Sequence, residues 1–154
     1  MDMPQFVQVS IIATGIGALL SVFYLAEQVR VATLEGRIQR TYEYMKRYNS
    51  PEFREDMAMA TIFFRDRTRS NQAKWEAVKT DDILKSQIVL SMNFFEELGI
   101  MYNKNLLEKT VAREFFGSIS KSICEDANDY INERRKDPKD EKNYKNWETM
   151  NKSF

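Results

Sequence analysis

The chain contains no histidine. That absence excludes histidine-based general acid and base catalysis, nucleophilic triads built on histidine, and the common zinc constellations, and with them most hydrolases. Cysteine is nearly absent as well. The single Cys124 can close no internal disulfide, suits a reducing compartment, and is expected to serve as a small core residue. Net charge is absent too, because 23 basic side chains balance 23 acidic ones, so the total offers no electrostatic argument for nucleic acid or for an acidic substrate. No alternating strand pattern of useful length and no internal repeat occur, and the fold class expected is all-α.

The most informative absence is local. From Met3 to Ala26 there is no Asp, Glu, Lys or Arg, although the chain as a whole is 30% charged. About 24 residues at roughly 1.5 Å each cross a hydrocarbon core of about 30 Å, so a transmembrane helix is expected over residues 5–26. Met1 to Gln5 offers only Asp2 and the α-amino group in place of a basic leader, which argues for a retained span rather than a cleaved export signal. Arg30, Arg37, Arg40, Lys46 and Arg47 follow the span and no Lys or Arg precedes it. The positive-inside rule then puts the N-terminus outside and the rest of the chain in the cytoplasm, with a single pass through the membrane.

Glu27 to Tyr48 contains no proline, and Gly36 costs only about 1 kcal/mol relative to alanine, so residues 27–48 are expected to continue the same helix. Val31, Leu34, Ile38, Thr41, Met45 and Tyr48 recur at spacings of three and four, a candidate assembly seam of the coiled-coil kind. Asn49 and Ser50 cap, and Pro51 opens the next helix, expected to reach about Arg69 with Phe53, Met57, Ala60 and Phe64 on one face. Thr80 or Asp81 caps a further helix, which Gly99 is expected to close. Its expected core face is Ile83, Ser86, Leu90, Phe94 and Leu98, widened by Leu84, Ile88 and Phe95. A last long helix runs from Leu106 to Arg135. Residues 50–136 thus form a helical bundle, and 137–154 a polar linker with an aromatic tail in which Tyr144 and Trp147 dock back.

No residue is assigned a catalytic role, and no metal or cofactor is expected. Gly15 and Gly17 sit inside the apolar run with no strand before them, so they serve helix packing rather than a dinucleotide loop. Glu96 and Glu97 point about 100° apart on a helix and cannot share a proton; one of them is expected beside an arginine. Arg65, Arg67 and Arg69, and likewise Arg134, Arg135 and Lys136, are expected to be solvated helix ends with local ion pairs.

Trp75, the segment "VLSMNFFEELGIMYNKNLLEKTVAREFFG" from Val89 to Gly117, and "YKNWE" from Tyr144 to Glu148 resemble the uncharacterised bacterial family catalogued as domain of unknown function forty-seven-sixty. The resemblance implies one N-terminal span ahead of a small helical domain, and no activity. The layout also resembles the small membrane accessory proteins of RNA-targeting, type VI CRISPR systems. Those are described as antiviral membrane pores whose cytoplasmic helical domain is related to the higher-eukaryote-and-prokaryote nucleotide-binding fold. Nucleases of that fold use an arginine followed a few residues later by histidine, so a ribonuclease role does not carry over, whereas a membrane role does.

Within the span, setting Ser10 at zero places Thr14 at roughly 40°, Gly17 at −20°, Ser21 at 20°, Tyr24 at −40° and Gln28 near 0°. Ile12, Leu19, Phe23, Ile16 and Leu20 lie opposite, as a lipid face. A lone anchor needs no such stripe. It either packs identical helices together or lines a pore, and roughly five or more helices about 10 Å across are needed to surround a lumen. The stripe alone leaves both open; the resemblance to the CRISPR accessory proteins, in a bacterial family, implies an oligomeric bacterial inner-membrane pore that depolarises the membrane, in antiviral defence linked functionally to an RNA-guided nuclease system. Its partners are then itself and membrane lipid, without direct nucleic-acid binding. The alternative is a membrane-tethered helical adaptor for a cytoplasmic protein.

Overall fold

The computed structural model describes the backbone of residues 5–66 and 68–154 and the side chains of 14–66 and 68–154. It is all-helical among these residues, with six helices: α1 (Gln5–Tyr48), α2 (Pro51–Arg65), α3 (Asn71–Thr80), α4 (Asp82–Asn103), α5 (Lys109–Arg134) and α6 (Lys145–Ser153). The chain divides into two compact units, Met1–Arg37 and Ile38–Phe154.

In the first unit every described side chain from Thr14 to Glu35 is exposed. α1 is the one helix among the described residues that is long and apolar enough to cross a membrane.

The second unit has a core of its own, built by the end of α1 and helices α2 to α6. Local chemistry sets each helix start. The Ser50 hydroxyl accepts from the Phe53 N–H, with Pro51 in the first turn, and the Ser70 hydroxyl accepts from the Ala73 N–H. The Asp81 carboxylate accepts from both Ile83 and Leu84, and the Glu108 carboxylate from Val111 at 2.7 Å. Trp147, Phe94, Phe95, Phe116, Ile88 and Leu98 are fully buried at the centre. Phe95 and Trp147 stack with their centroids 5.0 Å apart, and Tyr48 meets Phe94, Phe95 and Phe116 at 5.8 to 6.4 Å.

Several sequence expectations change here. α2 stops at Arg65 rather than near Arg69, because the Asp66 carboxylate accepts from the Thr68 N–H at 2.9 Å and turns the chain. Arg67 lies outside the described residues. α3 was not anticipated, although Ser70 is its cap and Trp75 packs its inner face against Tyr130 at 5.6 Å. Gly99 does not end α4. It lies within the helix, where a Cβ would stand 2.6 Å from the carbonyl carbon of Asn146 and 2.7 Å from the Trp147 nitrogen, so its role is to let α6 approach. The helix ends instead at Asn103, followed by Asn105 in the left-handed region with φ 56°. On α4 the expected Ile88, Phe94, Phe95 and Leu98 are buried, joined by Met92 and Tyr102, whereas the expected Ile83, Ser86 and Leu90 are exposed. α5 starts at Lys109, because Leu107 is buried ahead of it and Glu108 caps.

Candidate functional site

The polar stripe of the first unit sits on an exposed helix. Thr14, Gly17, Ser21, Tyr24 and Gln28 are all exposed, and Ser10 lies outside the described side chains. No described atom comes within 4 Å of a Cβ built on Gly15 or Gly17, so another helix has room to approach there. The Ser21 hydroxyl donates to the Gly17 carbonyl at 2.8 Å, which satisfies its proton inside the helix and leaves its lone pairs outward. On the opposite side Ile16, Leu19, Leu20 and Phe23 are each more than half exposed, an apolar face that no described residue covers.

The candidate seam splits. Val31 and Leu34 are exposed. In the second unit Ile38 is half-buried, Thr41 is fully buried and its hydroxyl accepts from the Glu108 N–H at 3.0 Å, and Met45 and Tyr48 pack against the core. These residues repeat every three or four positions because they face their own bundle. The same pattern cannot therefore serve as a free seam beyond Leu34. Over this stretch the exposed side is Gln39, Tyr42, Glu43 and Lys46.

The charged clusters have structural work. Glu97 accepts from Arg47 at 2.8 Å and from the Tyr44 hydroxyl at 2.9 Å, which is the arginine contact expected for one of the pair. Burial pushes the Tyr44 phenol up, and the bond to Glu97 adds to it. Glu96 turns to the start of α6, where one oxygen accepts from the Asn146 side chain at 2.7 Å and the other from the Trp147 N–H at 2.9 Å. Tyr144, which precedes α6 with φ 64°, supplies no side-chain cap, so a carboxylate borrowed from α4 takes that place.

Arg134 and Arg135 are not a solvated run. Arg135 grips Glu148 with two bonds, at 2.9 and 3.0 Å, and also donates to the Asn143 carbonyl; Arg134 donates to Asp140 at 2.8 Å and to the Tyr144 hydroxyl at 3.1 Å. They fasten the polar linker and α6 to the bundle. Lys136 alone of the three is exposed enough to count as a local surface pair, with Glu133. Arg65 reaches across to Asp126 at 2.7 Å on α5, and Arg69 pairs locally with Asp66 at 3.2 Å. Cys124 is half-buried against the core rather than inside it, and that burial raises its thiol pKa.

Sequence reasoning did not anticipate one further feature of the second unit. A groove of about 810 Å³ opens between the end of α2 and the start of α4, floored by Met59, Ile62, Phe63, Ile83 and Leu84. Its signal in the sequence is the apolar pair Ile83 and Leu84 at the start of α4, read there as core residues.

A family model described as Domain of unknown function (DUF4760) matches residues 9–154. No curated protein and no solved structure matches the chain.

Proposed function

The chain belongs to the DUF4760 family, and on that premise we propose that it is a single-pass protein of the bacterial inner membrane that assembles through its span into a depolarising pore. One observation carries the reading. Thr14, Gly17, Ser21, Tyr24 and Gln28 occupy one side of a helix that no part of the described chain covers. In lipid, the Tyr24 phenol and the Gln28 amide are left poorly satisfied unless they meet a neighbouring helix or water, and the small Gly17 leaves room for that helix. A ring of copies gives them both, with the apolar face of Leu19 and Phe23 turned to lipid. The arginines that follow the span support a cytoplasmic bundle. The resemblance of its sequence layout to type VI CRISPR accessory proteins favours a role in antiviral defence beside an RNA-guided nuclease system, a functional link without direct nucleic-acid binding by this chain.

The test is a membrane-potential dye in bacteria expressing the full chain, with and without phage challenge. Wild type is expected to depolarise the cells. Gly17→Leu, which fills the stripe, is expected to abolish the signal at equal membrane abundance, and Leu19→Ile to leave it intact. Equal behaviour of the two variants, or no depolarisation by wild type in either condition, overturns the pore.

A second reading rests on the Ser21 hydroxyl, whose proton is already taken by the Gly17 carbonyl. A stripe satisfied in this way packs helices together without a lumen, and the protein then acts as a membrane-tethered adaptor for a cytoplasmic protein. Such an adaptor keeps its activity when the span is exchanged for an unrelated one.

A further inference from the structure

We propose that the pore, if the reading above holds, passes cations in preference to anions, selected by a ring of Glu35 carboxylates, one from each copy, at its cytoplasmic mouth. Thr14, Ser21, Gln28 and Glu35 follow one another at intervals of seven residues. Helices wound about each other in a left-handed bundle keep such residues on one line, so hydroxyls, an amide and then a carboxylate share the same inner edge. In a straight helix the outcome is nearly the same, because Glu35 falls at roughly −20° from Ser10, inside the stripe. The side chains agree with that placement: one shallow hollow along α1 is lined by Tyr24, Glu27, Gln28, Val31, Ala32 and Glu35. At roughly 1.5 Å per residue, Glu35 stands about 14 Å past Ala26, beyond the charge-free run, where a lumen meets water.

The charges that follow the span are sorted by side. Glu35 is exposed on the stripe. Arg30 and Arg37 fall at roughly −160° and 180°, on the side of Leu19 and Phe23 that the pore turns to lipid. Their guanidinium groups are therefore directed to the membrane, whose anionic headgroups attract them. Glu27, at roughly −100°, stands at the margin of the hollow and is tied to Arg30 at 3.4 Å. Glu35 is then the charge that an ion meets on the axis. A ring of such carboxylates between low-dielectric helices focuses a negative potential at the mouth, which gathers cations and repels anions. Deeper in the stripe Gln28, Ser21 and Thr14 carry no charge that would offset it.

The experiment is the reversal potential of the purified full chain in planar bilayers under a potassium chloride gradient, read as the permeability ratio of potassium to chloride. Wild type is expected to favour potassium by at least about fivefold near physiological salt and to lose much of that preference near 1 M, where the field is screened within about 3 Å. Glu35→Gln is expected to bring the ratio close to unity and Glu35→Lys to reverse it. Arg37→Gln changes charge by the same amount on the opposite side and is expected to move the ratio by less than about twofold. A Glu35→Cys chain in a Cys124→Ala background tests one pore before and after modification. A sulfonate-bearing thiol reagent is expected to restore the potassium preference and a trimethylammonium-bearing one to reverse it. Currents without ion preference in wild type, an unchanged ratio in Glu35→Lys, or equal effects of Arg37→Gln and Glu35→Gln overturn the cation filter and leave the pore standing. The absence of any current overturns both.

Discussion

Residues 14–35 and residues 38–154 solve the same problem in opposite ways. Both are rich in large apolar side chains. In the first region Phe23 is 72% exposed and every neighbour from Thr14 to Glu35 is open; in the second, Phe94, Phe95, Phe116 and Trp147 are completely enclosed. The difference lies in where the solvent for those side chains comes from. The bundle supplies its own, through six helical segments and an aromatic centre. The exposed helix needs lipid or further helices, since leaving that much apolar surface in water costs roughly 25 cal/mol per Å². A single helix, α1, carries both solutions, and the change falls between Leu34, which is open, and Thr41, which is sealed.

The sharpest way to break the bundle side of this comparison is Trp147→Ala. It removes a side chain stacked on Phe95 and bonded through its indole N–H to the Ser120 hydroxyl at 2.8 Å, and is expected to cost about 4 kcal/mol, read from denaturant unfolding. Alkaline titration is the next largest test. Burial raises the Tyr48 and Tyr130 phenols and takes Tyr144 up to about 12 from an ordinary 10.0. A phenol whose folded pKa is raised contributes stability that is fully present below pH 10 and is lost as the pH rises through the folded value. The bundle is therefore expected to weaken between about pH 10 and 12, with its buried phenols ionising late, in a tyrosinate absorbance titration followed beside circular dichroism. Early ionisation of all the tyrosines would mean that the core is open.

Gly99→Ala sets a methyl group against the backbone at the start of α6 and is expected to cost about 2 to 3 kcal/mol, with α6 exchanging its amide hydrogens faster than α4. Glu96→Gln keeps the shape but removes the charge that caps α6, for an expected loss of about 1 to 2 kcal/mol in the same assay. The smallest effect belongs to the other region. Leu19→Ala changes an exposed side chain of the first unit and is expected to shift bundle unfolding by less than about 0.5 kcal/mol. A large shift would show that the exposed helix contributes to the bundle fold.

Much of the architecture was legible before any coordinates. The charge-free run, the cap and proline at Ser50 and Pro51, and the docking of Tyr144 and Trp147 follow from side-chain chemistry that acts over a few residues. What was not legible depended on a distant partner. Gly99 reads as a helix stop until α6 is placed against it, and Glu96 reads as half of an acidic pair until the uncapped start of α6 arrives beside it. Met45 and Tyr48 continue the spacing of Val31 and Leu34 without a break, so periodicity alone cannot tell a seam for another copy from a face for the chain's own bundle. The exposure of Ile83 and Leu90 at the start of α4 has the same origin: apolar residues surround much of that helix, and only its neighbours decide which of them are covered.

The most direct measurement of the division between the two regions is ion flux through liposomes carrying the purified full chain. Wild type is compared with a chain in which Phe6 to Ala26 is replaced by polyleucine of equal length, and thermal unfolding of the bundle is followed in the same preparations. The account predicts flux with wild type, none with polyleucine, and an unchanged unfolding midpoint. Equal flux from both chains, or a wild type that never conducts, would contradict it.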